Sequence, residues 1–218
     1  LLGVVIERVA YKPLRKASPL SVLITAIGVS YLLQNIALLM FGSTKRSFPP
    51  IITVPALKIG ALTIKGESLV TLLVTMVIMI ALTVFINKSK LGKAMRAVSE
   101  DKDAAELMGI NVNRTISITF AIGSALAAVA GIFYGATYIY VGPYTGSMPG
   151  IKAFVAAVFG GIGSIPGAML GGILLGLIEN LAKAYISTEL SDAIVFAVLI
   201  VVLIVRPAGL LGKQVREK

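Results

Sequence analysis

The chain has 218 residues, of which 57% are hydrophobic and 14% charged, and its formal net charge is +10. Its mean hydropathy is +0.94, more apolar surface than a soluble fold of this length can bury, so composition predicts a polytopic α-helical membrane protein. Cysteine, histidine and tryptophan are absent, which excludes disulfides, thiol chemistry, and the commonest general base and metal ligand. The basic residues cluster beside apolar segments, where they act as topology signals, so nucleic-acid binding is not expected.

The first apolar run, residues 1–10, is predicted to be the end of a membrane span that leaves the bilayer. It lacks the layout of a signal peptide, and it begins at Leu1 in the middle of an apolar run, so we expect an N-terminally truncated chain whose earlier spans are missing. The first complete span covers about 20–41 and contains Gln34 and Asn35. Polar side chains inside a span either line a transport pathway or form hydrogen bonds between helices.

The segment 42–66 contains prolines and glycines that interrupt helical structure. Between them, apolar residues alternate with polar or small ones over 57–64, which predicts a small hairpin outside the membrane. The second complete span covers about 69–86.

Residues 88–114 form a charged segment between two apolar spans, here called the charged island. Its apolar residues recur at helical spacing, with basic residues first and acidic residues after them. This pattern predicts a pair of short amphipathic helices at the cytoplasmic membrane face. Charge and periodicity fit a docking element for a partner protein and an ordinary solvated loop equally well.

The third complete span, about 115–140, carries small residues four positions apart. This small-residue column allows another helix to approach closely, so we expect it to serve helix packing rather than gating. Its members are Gly123, Ala127, Gly131 and Gly135.

The next apolar run, 151–163, is short and ends in a segment rich in glycine and proline. It is either a short crossing helix or a re-entrant element, because irregular backbone at membrane depth must be buried or line a wet cavity. The regions 8–16, 88–114 and 206–218 are richest in Lys and Arg. All three are cytoplasmic only if 151–163 crosses, so we expect crossing, with further spans at about 167–185 and 193–205. The whole chain, 1–218, is predicted to form one transmembrane helical domain.

Three stretches carry a family resemblance. The string from Asp103 to Gly109, DAAELMG, resembles the EAA-x-x-x-G signature of bacterial ABC-importer permeases, with Asp103 in the Glu position. The surrounding LGKAMRAVSEDKDAAELMGIN resembles the version of that loop found in the branched-chain amino acid permease family, which serves high-affinity import of leucine, isoleucine and valine. The later stretches PGIKAFVAAVFGGIGSIPGAMLGGILLGLIENL and VRPAGLLGK resemble the same family.

The resemblance implies a non-catalytic, multi-pass permease subunit of the inner membrane, which translocates branched-chain amino acids by alternating access. Its implied partners are a second permease subunit, two cytoplasmic ATPase subunits that hydrolyse ATP, and an extracytoplasmic substrate-binding protein; no cofactor is implied. In that family the charged loop forms a coupling helix that rests in a groove of the ATPase. The residues to which the resemblance assigns this coupling are Arg96, Glu100, Asp103, Ala104, Ala105 and Gly109.

Two alternatives remain open. A related ABC permease for urea, amides or sugars would carry a similar sequence, because generic residues line such pathways. An ion-coupled secondary transporter would require a buried carboxylate near the bilayer midplane. Glu179 and Asp192 instead lie toward the ends of predicted spans, which makes this alternative weaker.

Overall fold

The computed structural model describes residues 1–15, 17–49, 51–52, 54–59 and 62–212. Within these ranges the chain is mostly helical and its few strands are short, which confirms the expected all-α polytopic fold. The described helices long and apolar enough to cross a membrane are Leu20–Phe41, Gly66–Lys88, Val112–Tyr138 and Ile165–Tyr185. The residues group into two compact units, one of Leu1–Val77 with Val84–Thr145, the other of Ile78–Thr83 with the chain from Gly146 onward.

Within the described ranges the first unit contains five whole α-helices, the helix Gly66–Lys88 without its Ile78–Thr83 segment, and one π-helical turn, Glu7–Tyr11, which continues the first helix. The helices are α1 (Leu2–Ile6), α2 (Pro19–Phe41), α3 (Gly66–Lys88), α4 (Lys90–Glu100), α5 (Lys102–Leu107) and α6 (Val112–Tyr138). Helix α1 packs against α6, and a Cβ at Gly3 would collide with the Ser124 side chain, so only glycine permits this approach. Several helices begin at a polar capping side chain, such as Ser18 before α2 and Asn111 before α6.

Short strands lie between the long helices of the first unit. Strands β2 (Leu57–Ile59) and β3 (Leu62–Ile64) pair antiparallel, which confirms the predicted hairpin. Strand β1 (Arg46–Ser47) pairs antiparallel with β4 (Tyr140–Val141), a contact that local patterns did not predict. The Phe48 N–H donates to the Ile139 carbonyl at 2.5 Å and extends this tie. The loop after α2 is thereby fixed to the end of α6.

The second unit contains α7 (Ser147–Gly160), α8 (Ile165–Tyr185) and α9 (Ser191–Val205). Helices α7 and α8 approach so closely that a Cβ at Gly160, Gly167 or Gly171 would collide with the backbone of the neighbouring helix. Glycine at these positions permits the approach. The Ser164 hydroxyl accepts a hydrogen bond from the Gly167 N–H at 3.1 Å and caps α8. The buried core of this unit comprises Val155, Phe159, Leu175 and Val195.

The predicted break between the two apolar runs is confirmed, since α7 ends at Gly160 and α8 begins at Ile165. Helix α7 has 14 residues, about 21 Å at 1.5 Å per residue, against a hydrocarbon core of about 30 Å. The N–H groups of Leu210 and Leu211 donate to the carbonyls of Phe159 and Gly160 at 3.0 and 2.9 Å. The chain after α9 therefore supplies hydrogen-bond donors to the last carbonyls of α7. The crossing of the membrane by 151–163 remains a prediction.

Candidate functional site: the charged island

The charged island folds into two short helices, α4 and α5, as the periodicity predicted. The Ser89 hydroxyl accepts from the Gly92 N–H at 2.9 Å and starts α4. One carboxylate oxygen of Asp101 accepts from the N–H groups of Asp103 and Ala104 at 2.9 and 3.0 Å and starts α5. These caps satisfy N–H groups that have no partner inside the helices. The sequence thus specifies the break between the two helices.

The C-terminal end of α5 is closed around Gly109, whose φ of 81° lies in the left-handed region. The Gly109 N–H donates to the Glu106 carbonyl at 2.9 Å, and the Ile110 N–H donates to the Ala105 carbonyl at 3.0 Å. This pair of bonds is a Schellman motif, in which glycine is favoured because it has no Cβ. Gly109 therefore ends α5.

The island is attached to the span-length helix α6, because both α4 and α5 pack against it. Val98 of α4 and Ala105 of α5 are buried. In contrast, Leu107 is 89% exposed and Met108 is 83% exposed. Contiguous exposed apolar surface on an otherwise polar segment is typical of interaction sites. The island therefore presents an apolar tip, defined here as Leu107 and Met108, on a base held by α6.

The sequence prediction did not single out the apolar tip. Helical spacing grouped Ala104, Ala105, Leu107 and Met108 together, whereas the structure buries only Ala105 and leaves the other three exposed. The sequence feature that distinguishes the exposed Leu107 and Met108 from the buried Ala105 is Gly109. The Schellman motif at Gly109 ends the helix before a further turn covers the tip.

The remaining residues assigned to coupling by resemblance lie on the island surface. Glu100, Asp103 and Ala104 are exposed, and Arg96 donates from Nη1 to the Asn87 Oδ1 at 3.1 Å. Buried Ala105 has little surface for a partner protein, so its contribution is to hold α5 in place. The coupling role of all six residues remains a prediction.

An open cavity of about 470 Å³ lies beside the junction of α4 and α5. Its lining residues are Arg15, Val98, Ser99, Glu100, Asp101, Lys102 and Asp103. Arg15 pairs with Glu7, which is 1% exposed. The second Glu7 oxygen accepts from the Ser117 hydroxyl of α6 at 2.7 Å. This buried acid joins the segment before α2 to both the island cavity and α6.

Sequence reasoning also missed the Glu7 site. The available signal was a lone carboxylate in the apolar run of residues 1–10, because a buried charge requires a partner. That signal does not identify the partners, since Ser117 is 110 residues away in the chain.

The two amides of α2 form hydrogen bonds within their own helix. Gln34 Nε2 donates to the Ser30 hydroxyl at 3.2 Å, and Asn35 Nδ2 donates to the Tyr31 carbonyl at 2.8 Å. Neither amide bonds to another helix among the described residues. Their assignment to a transport pathway remains a prediction.

The small-residue column of α6 has two different environments. A Cβ added at Gly123 or Gly131 would meet nothing within 4 Å among the described residues. A Cβ at Gly135 would lie 3.2 Å from the Phe48 ring, so this glycine is covered by the loop after α2. The predicted close helix contact at Gly123 and Gly131 is therefore not made by the described residues and remains a prediction.

Span-length apolar helices with a capped, charged island between two of them are typical of a multi-pass membrane protein. The chain belongs to the family described as "Branched-chain amino acid transport system / permease component", whose sequence profile matches residues 1–203. Family membership and the apolar helices place it in the inner membrane as a multi-pass protein.

Individual relatives support the same family. The chain is 48% identical over 151 residues to the high-affinity branched-chain amino acid transport system permease protein LivH of Salmonella typhimurium, covering 67% of this chain and 49% of LivH. It is 44% identical over 154 residues to the corresponding protein BraD of Pseudomonas aeruginosa, covering 69% of this chain and 50% of BraD. The chain thus spans about half the length of these curated relatives. A comparison with solved structures found no match.

Proposed function

We propose that the chain is a permease subunit of an ATP-driven ABC importer that translocates branched-chain amino acids by alternating access. Its family and its relatives LivH and BraD support the substrate class. ATP hydrolysis is assigned to two cytoplasmic ATPase subunits. A second permease subunit and an extracytoplasmic substrate-binding protein complete the importer.

The observation that carries this proposal is the apolar tip of the charged island. Leu107 and Met108 lie on a segment between two span-length helices, and both are more than four-fifths exposed. An exposed apolar side chain contributes to affinity when a partner covers it, because its surface is removed from water. We assign the tip to a groove on the ATPase subunit, with Arg96, Glu100 and Asp103 on its charged rim.

The attachment of the island supplies the route for the mechanical step. Val98 and Ala105 are buried, and α4 and α5 both pack against α6, so the island and α6 move as one body. When ATP binding brings the two ATPase subunits together, each island is displaced with its ATPase. Helix α6 then moves with the island, and the cavity between the two permease subunits opens to the other side of the membrane.

The experiment compares two single charge additions in the permease assembled with its partners in proteoliposomes. Leu107→Asp places a carboxylate in the apolar tip. Asn113→Asp adds the same charge at another exposed island position and is the matched control. We expect Leu107→Asp to lower leucine uptake per ATP hydrolysed by roughly tenfold or more, because a charge in an apolar groove disrupts docking.

The control is expected to retain the parental coupling ratio. Both variants should show the parental melting temperature, because Leu107 makes few contacts within its own chain. Parental coupling in the Leu107→Asp variant would contradict the assignment of the apolar tip to the ATPase.

A further inference from the structure

The second unit contains a network of four charges on three apolar helices. The Lys152 Nζ of α7 lies 2.7 Å from Asp192 Oδ1 of α9 and 2.9 Å from Glu179 Oε1 of α8. Lys183 of α8 pairs with the same Glu179 oxygen. We call these residues the four-charge network. The network joins α7, α8 and α9 through Lys152.

The network lies near one end of these helices. Lys152 is the sixth residue of α7, Asp192 is the second residue of α9, and Glu179 lies six residues before the end of α8. At 1.5 Å per residue, each position is within about 10 Å of a helix end. The distribution of Lys and Arg predicts that this end is extracytoplasmic. Charged side chains at such depth face protein or a water-filled cavity rather than lipid.

The two arms of the network are held unequally. Glu179 is bound by two lysines and its side chain is 18% exposed, whereas Asp192, among the described residues, pairs with Lys152 alone and its side chain is 40% exposed. If Asp192 is displaced, Lys152 still has Glu179 as a partner and is not left as an uncompensated charge. The pair between Lys152 and Asp192 is therefore the one that an incoming ligand can open at least cost.

The charge balance of the network fits a zwitterionic ligand. Two lysines and two carboxylates carry no net charge, and an α-amino acid zwitterion carries none either. Inserted into the opened pair, its carboxylate contacts the Lys152 ammonium and its ammonium contacts the Asp192 carboxylate. Each ion pair that is lost is replaced by another.

We propose that Lys152 and Asp192 form a zwitterion-binding site of the permease, at which the amino acid opens the ion pair between them. This inference rests on the proposed function and adds the residues that recognise the backbone of the substrate. An amine that lacks a carboxylate gives Lys152 no partner in place of Asp192. An acid that lacks an ammonium gives Asp192 no partner in place of Lys152. The site therefore selects amino acids over both analogues.

The experiment measures equilibrium binding of radiolabelled leucine to the purified permease assembly, without the substrate-binding protein. We expect Asp192→Asn and Lys152→Met each to weaken leucine binding by roughly tenfold or more. Glu189→Gln is the matched control, since it removes a carboxylate charge at an exposed position just before α9 and outside the four-charge network, and it should bind leucine within about threefold of the parent. Unlabelled 3-methylbutylamine and 4-methylpentanoate should compete far more weakly than unlabelled leucine.

Three results would overturn the site: no leucine binding by the parent, parental binding by both variants, or equal competition by the amine and the acid. Asp192→Asn retains the side-chain shape and the pairing of Lys152 with Glu179, so it remains informative if Lys152→Met does not fold. ATP-dependent leucine uptake by the parental assembly is measured in parallel. If the parental assembly takes up leucine but does not bind it at these residues, only the proposed zwitterion site is rejected. If the parental assembly shows no ATP-dependent uptake, the proposed function is rejected.

Discussion

The Ile110 N–H donates a hydrogen bond to the Ala105 carbonyl across 3.0 Å and closes the last turn of α5. This bond ends the helix two residues after the buried Ala105 and leaves Leu107 and Met108 exposed. The apolar tip of the charged island is therefore a consequence of where the helix stops.

Gly109 tests the geometry of that stop. Gly109→Pro requires a φ near −65°, whereas the observed φ is 81°, so the substitution cannot keep the Schellman motif. Gly109→Asn is the matched variant, because asparagine tolerates the left-handed region better than other non-glycine residues. We expect the proline variant to lose most leucine uptake per ATP hydrolysed and the asparagine variant to keep most of it. Equal leucine uptake per ATP hydrolysed in the two variants would show that the geometry at the end of α5 does not affect coupling.

Glu7 is predicted to stabilise the first unit through its buried partners. Glu7→Gln removes the charge that compensates Arg15, and breaking a buried ion pair in this way costs about 3–5 kcal/mol. The purified permease in detergent should therefore melt at a lower temperature than the parent. Arg8→Gln, at an exposed position in the same turn, is the control and should change stability by about 0.5 kcal/mol or less. A Glu7→Gln melting temperature equal to that of Arg8→Gln would reject the stabilising role.

The small-residue column of α6 is predicted to contact a second permease subunit. A Cβ added at Gly131 meets nothing within 4 Å among the described residues, so Gly131→Leu should leave the melting temperature of the isolated subunit unchanged. Assembly with the second subunit should weaken by about 1–3 kcal/mol, because the added side chain overpacks the interface. Gly135→Leu should instead destabilise the isolated subunit, since the Phe48 ring occupies that space. Normal assembly of Gly131→Leu, measured by mass in detergent, would place the interface elsewhere.

The turn between α7 and α8 is predicted to lie on the cytoplasmic side. Ser164 lies in this turn, but its hydroxyl caps α8. Ile162 lies in the same turn, is exposed and caps no helix, so it is the better position for a labelled thiol. The chain contains no cysteine, so Ile162→Cys and Met108→Cys each introduce a single thiol. An impermeant reagent should label both from the same face of sealed vesicles. Labelling of the two positions from opposite faces would reverse the predicted orientation of every element after α7.

Local signals were enough to predict several elements. Alternating residues predicted the β2–β3 hairpin, and helical spacing predicted α4 and α5. Each of these depends on residues within a few positions of one another, so periodicity and capping chemistry report them directly.

Contacts between distant segments were not predictable in the same way. The hydrogen bond between Ser117 and Glu7, the pairing of β1 with β4 and the network around Lys152 join elements far apart in the chain. The spacing of small residues has the same limit. Glycines four apart make close contact at Gly167 and Gly171, but the same spacing leaves Gly123 and Gly131 open. Spacing shows that a helix permits close approach, and it does not identify the partner.

Leucine uptake into proteoliposomes that contain the permease with its partner subunits tests the central claim most directly. The account predicts uptake that requires ATP and the ATPase subunits, and that is unaffected when ion gradients are dissipated. Uptake that persists without the ATPase and follows an imposed ion gradient would contradict it.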